Sequence, residues 1–156
     1  MKTFTAIALL FIGFIGNAQT KRENLLSDKV GTINIKYIKS TDLDKNDIYY
    51  FVYLSFQNEK YTTITDTKSL GFKDKESLSE FVKDLNTAKT QMDLNQKVNL
   101  SWNRNNYNLK LYDFTNVLYI TQSDGVKGYC TINNNLVEKL IQLLSKIDFG
   151  KDELLH

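Results

Sequence analysis

Residues 48–56 read Ile-Tyr-Tyr-Phe-Val-Tyr-Leu-Ser-Phe, and the alternation within them decides the fold class. A period of two puts Tyr50, Val52, Leu54 and Phe56 on one side of a strand and Tyr49, Phe51, Tyr53 and Ser55 on the other. Both faces are apolar or aromatic. If helices cover one side of the sheet, the second set of rings is left toward solvent, where clustered aromatics mark a docking surface. If the sheet curls closed, both sets are buried.

Working outward, Val30 to Lys39 alternates Ile33, Ile35 and Tyr37 with Thr32, Asn34 and Lys36, the pattern of a half-buried strand. Ser40 to Asp47 is polar and turn-like. Gln57-Asn58-Glu59-Lys60 reads as a hairpin, with Tyr61 to Asp66 returning and Ser69 to Phe72 a short fourth strand. Asp74 then caps a helix whose Leu78, Phe81, Val82 and Leu85 form one apolar stripe, ending near Lys89 or Gln91. Further strands follow at Lys97–Trp102, Tyr107–Tyr112, Val117–Thr121 and Val126–Ile132. Asn133 or Asn134 opens a last helix with Val137, Leu140, Ile141 and Leu144 at the same spacing. Ile64-Thr65-Asp66 and Gly71-Phe72 are echoed by Ile120-Thr121-Gln122 and Gly128-Tyr129, a faint internal repeat. Three or four strands then a helix, twice over, predict an α+β fold: an antiparallel sheet of about six to eight strands with two helices on one face. The competing architecture is a β-barrel with a C-terminal helix.

Residues 1–18 read as a signal peptide. Lys2 precedes the apolar run Ala6–Ile15, and Gly16-Asn17-Ala18 supplies the small residues of a cleavage site before Gln19. The run is about half the length a membrane-spanning helix needs, so no stable span is expected once it is removed. Residues 19–156 are then expected to form a single domain, large enough to bury a core without staples. The chain is expected to be exported, either periplasmic or secreted. With no Pro and abundant Asn and Lys, its composition resembles that of chains from AT-rich bacterial genomes.

Removing the signal takes away Lys2 alone, one of the 20 Lys and Arg, against 18 Asp and Glu. The mature chain is nearly neutral, which argues against nucleic acid, because phosphate binding needs a cationic surplus or a basic face. Cys130 is the one cysteine, so no intrachain disulfide can form. Its alternation with Val126, Gly128 and Ile132 puts it on an apolar strand face, as a small hydrophobe.

The catalytic inventory is thin. The one histidine, His156, ends a polar tail, a poor place to hold a base for a Ser or Cys nucleophile. No Gly-rich phosphate loop occurs, and no cofactor is indicated. Asp66, Asp113 and Asp124 fall near strand ends, but no spacing brings two of them together. Asp42, Asp44 and Asn46 match the first, third and fifth positions of a calcium loop; Asp47 and Tyr53 then stand where Gly and a bidentate Glu belong. Trp102, Arg104, Tyr107 and Tyr112 set aromatics beside a cation around Asn-rich turns, a pattern able to stack on sugar rings or bases.

The expected function is therefore binding without catalysis, to a protein or glycan at the cell envelope. The candidate residues are Tyr49, Phe51 and Tyr53, with Trp102, Arg104 and Tyr107. The alternatives are an envelope hydrolase using carboxylates or a metal weakly held around Asp42, Asp44, Asn46 and Asp47, and an assembly protein using a free sheet edge.

Overall fold

Gly31 takes a φ of +60°, and with Thr32 it forms the two-residue loop that turns Val30 back onto Ile33. This hairpin begins the architecture. The computed structural model describes residues 19–60, 66–95, 97–112, 115–123 and 128–155. The signal segment, Tyr61 to Thr65, Asp113, Asp124, Val126 and His156 lie outside the described residues.

The fold is α+β. Strands β1 (Thr20–Val30), β2 (Ile33–Asp42), β3 (Asp47–Gln57) and β4 (Thr67–Phe72) form an antiparallel meander, followed by helix α1 (Lys75–Asp93). A second meander, β5 (Leu100–Asn103), β6 (Tyr107–Leu111), β7 (Val117–Gln122) and β8 (Tyr129–Asn133), is followed by α2 (Asn134–Leu144). The order of strands and helices is thus the one the periodicity predicts. The strands divide into two four-stranded sheets instead of one, because α1 and the segment after it stand between β4 and β5. In the first sheet β1 and β4 are the margins, so it does not close on itself.

Both helices begin where a side chain can cap them. The Asp74 carboxylate accepts the Ser77 amide at 2.7 Å, which holds that carboxyl below its ordinary range, and Asn133 Oδ1 accepts the Leu136 amide at 3.0 Å. Such caps are worth about 1 kcal/mol each. Past the end of α1, Asn95 is left-handed at φ +48°, a common helix stop.

Inner faces of both sheets and the stripes of both helices share one apolar core. Ile33, Ile35, Tyr37, Val52, Leu54 and Phe56 from β2 and β3 meet Leu78, Phe81 and Leu85 of α1, Leu109 and Ile120 of the second sheet, and Val137 and Leu140 of α2. Cys130 is buried among them, and burial pushes its thiol pKa up.

Two polar joints tie this arrangement together. Beyond β3, Asn58 and Glu59 run along the margin of β8. The Glu59 amide donates to the Tyr129 carbonyl at 2.8 Å, the Tyr129 amide donates to Asn58 Oδ1 at 3.1 Å, and the Thr131 amide and hydroxyl donate to the Glu59 carboxylate at 3.0 and 2.7 Å. At the other end, residues after α2 fold over the first sheet. The Tyr37 hydroxyl donates to the Lys151 carbonyl and accepts the Gly150 amide, both at 2.9 Å, while Tyr50 donates to Asp152 at 2.8 Å. Lys39, then Tyr50, hold the Asp152 carboxyl below its ordinary range.

Candidate functional site

The register of the first sheet assembles a groove on its outer face. Arg22 pairs with Ser40 and Ser40 with Tyr49; Ile38 pairs with Phe51 in the next row, and Tyr53 with Gly71. Residues directly opposite each other share a face, so these side chains all turn away from the core. Thr20, Arg22, Ile38, Ser40, Asp42, Tyr49, Phe51 and Tyr53 line a cavity of about 330 Å³. That is the small end of the range of about 300–1,000 Å³ for ligand pockets.

Three aromatics form one wall. Tyr49 and Tyr53 are 48% and 40% exposed, the Phe51 and Tyr53 rings lie 6.1 Å apart, and the Tyr49 hydroxyl donates to Asp47 at 3.3 Å. The Tyr53 ring rests over Gly71, where an added Cβ would meet it in ordinary contact at 3.6 Å. The floor and opposite wall are polar. Ser40 is 8% exposed, and its hydroxyl makes no hydrogen bond among the described residues. Arg22, one strand away, has no ion pair among them. Asp42 Oδ1 is occupied by the Asp44 and Lys45 amides at 3.0 and 3.3 Å. This closes the β2–β3 turn, with Asn46 left-handed at φ +57°. The turn thus explains the calcium-like spacing of Asp42, Asp44 and Asn46 by local geometry, with a carboxylate folding back on its own backbone. Among the described residues no three His, Cys, Asp or Glu side chains converge to hold a metal.

Trp102, Arg104 and Tyr107 do not join this groove. Trp102 is half-buried against the core and Tyr107 is fully buried, its ring edge-on to Phe81 at 4.7 Å. Arg104 grips Asp84 of α1 with a fork of two bonds, 2.8 and 2.9 Å, and the Tyr107 hydroxyl donates to the same carboxylate at 2.9 Å. Asp84 is itself only 3% exposed. Burial, then the bond to Asp84, raises the Tyr107 phenol pKa. Arg104 and Tyr107 thus belong to a polar anchor on Asp84 of α1, with Arg104 Nη1 also 3.1 Å from Glu80. Of the three carboxylates considered as a catalytic pair, Asp66 is described; it accepts Asn58 at 2.7 Å and faces Lys68 at 3.3 Å.

No family model matches the chain, and searches of curated proteins and of solved structures find no match.

A second aromatic group escaped the sequence reading. On the outer face of the second sheet Tyr119 lies 5.2 Å from Tyr112, edge-on, and 5.4 Å from Tyr129. Periodicity gives each of these tyrosines a strand of its own, whereas the register of β6 with β7 and of β7 with β8 brings them together, which no one strand's alternation contains. These rings pack on one another, whereas those of the first sheet line a hollow.

Proposed function

We propose that this chain is a small exported bacterial protein that acts by binding at the cell envelope, without catalysis, and that the outer face of its first sheet is the binding surface. One observation carries the reading: Tyr49, Phe51 and Tyr53 stand on the solvent side of a sheet whose other side is fully occupied by the core. Folding does not require large rings there, and exposed aromatic area left in a hollow is suited to cover a partner. The hollow also holds the Ser40 hydroxyl and the Arg22 guanidinium, which nothing else among the described residues engages. Export rests on the N-terminal sequence, and no helix among the described residues is long and apolar enough to cross a membrane.

The assembly reading has less support. The β1 margin carries a bulge between Asn24 and Leu26 and the charges Lys21, Arg22, Glu23 and Lys29, devices that discourage edge pairing, and the β8 margin is engaged by Asn58 and Glu59.

The test is the double variant Phe51→Ser, Tyr53→Ser. The variant is expected to keep the far-ultraviolet spectrum and cooperative melting of the parent, and to stay in the supernatant when the parent sediments with bacterial cell envelopes. An unfolded variant, or equal sedimentation of both proteins, would overturn the reading. Export is checked on the native protein by mass spectrometry, with Gln19 expected as its first residue.

A further inference from the structure

We infer that the groove on the first sheet takes an acidic saccharide, a glycan unit that carries a carboxylate. This rests on the binding role proposed above and names its ligand class. The cavity, about 330 Å³, suits one or two sugar rings better than a folded partner's surface. A pyranose offers flat C–H faces and a rim of hydroxyls, and the groove offers the complement: rings of Tyr49, Phe51 and Tyr53 along one wall, polar side chains along the other.

Two groups make the ligand acidic. Ser40 is more than nine-tenths buried at the floor, and its hydroxyl bonds no group among the described residues while its oxygen stays within reach of solvent, so a ligand atom can take the place of water there. Arg22 stands directly across from Ser40 in the β1–β2 register and forms no ion pair among the described residues. A guanidinium beside a hydroxyl donor is a seat for one carboxylate. Asp42 on the same wall sets the upper limit on ligand charge. No bond occupies its Oδ2 among the described residues, so it can accept sugar hydroxyls, and its negative charge opposes a densely anionic chain such as a polyphosphate or nucleic acid. The near balance of 20 cationic and 18 anionic side chains points the same way.

The experiment is titration calorimetry of the mature protein with a galacturonic acid trimer and, separately, with the neutral trimer maltotriose. The acidic trimer is expected to bind and the neutral one to bind at least about tenfold more weakly, the worth of one charge-assisted hydrogen bond. Arg22→Ala should lose about tenfold for the acidic trimer while leaving maltotriose unchanged, and added salt should weaken the parent alone. Ser40→Ala should weaken acidic binding without lowering the melting temperature, since the hydroxyl bonds no group of the folded chain among the described residues. Equal binding of the two trimers, or an Arg22→Ala variant that binds like the parent, overturns the acidic ligand but leaves the binding surface standing. Acidic binding that survives Phe51→Ser with Tyr53→Ser sinks the surface itself. Binding of neither trimer overturns the saccharide and leaves a protein partner for the same groove.

Discussion

Asn58→Ala is the most informative single perturbation of this fold, because one buried side chain joins its two halves. Asn58 is fully buried; its amide nitrogen donates to Asp66 at 2.7 Å, and its Oδ1 accepts the Tyr129 and Lys60 amides, each at 3.1 Å. Lys60 is exposed and water can replace its bond. Tyr129 opens β8 beside buried Gly128, so its orphaned amide bears a desolvation cost of about 1–3 kcal/mol. The lost bond to the Asp66 carboxylate adds less than a fully buried charged bond would, because Asp66 is partly exposed and keeps Lys68, and the total is about 2–4 kcal/mol. For a chain of this size that lowers the melting temperature by about 10 °C. Urea unfolding followed by Trp102 fluorescence and by far-ultraviolet circular dichroism measures it, with both signals expected to shift together. Asn58→Asp keeps the size and an acceptor but sets a second carboxylate against Asp66; it should be destabilised at neutral pH and regain stability as the pH falls below about 5. A loss under about 1 kcal/mol for Asn58→Ala, or an Asn58→Asp variant insensitive to pH, would refute the idea that this side chain joins the halves.

Other consequences are as direct. Gly128→Ala should destabilise by about 1–3 kcal/mol in the same urea assay, since its Cβ would stand 2.6 Å from Asn58 Nδ2 and 2.9 Å from Lys68 Cε. Tyr107→Phe removes a hydrogen bond to the buried Asp84 carboxylate and should cost about 1.5–3 kcal/mol, read as a lower denaturation midpoint with unchanged slope. Thermal melting against pH should show a plateau that falls at both ends. Burial raises the pKa of Cys130, Tyr107 and Tyr37, so the unfolded chain releases those protons first and stability declines once the pH passes the ordinary thiol and phenol values of 9.0 and 10.0. Asp66, Asp74, Asp93, Asp148 and Asp152 are held below the ordinary 3.8, so their contribution is present above that value and disappears as the pH drops through the lowered range.

The sequence exposed the elements more readily than their partners. Helix α1 was legible because Asp74 and the Leu78, Phe81, Leu85 stripe are local signals, and α2 for the same reason. Strand β1 was not. Thr20–Val30 is mostly exposed at a sheet margin, so it carries no alternation, and its pairing with β2 supplies the order its own residues lack. The division into two sheets was hidden because periodicity says which face a residue takes, not which strand lies beside it. The repeat is real at the level of architecture, but the motif echo is not: Gly71 lies within β4, whereas Gly128 precedes β8. For the candidate site, alternation alone put Tyr49, Phe51 and Tyr53 together. Arg22 and Ser40 required the β1–β2–β3 register. Arg104 and Tyr107 resembled a stacking site in sequence because an anchor for a buried carboxylate uses the same residue types, and Asp84, 20 residues earlier, gave no sign of being their partner.

The segment that seals Tyr37 and Tyr50 follows α2 in the chain. Until residues 148–152 emerge from the ribosome, one end of the core stays open to water and Lys39 lacks its counter-ion. Closure of the core at that end therefore depends on a segment that lies outside both sheets and both helices.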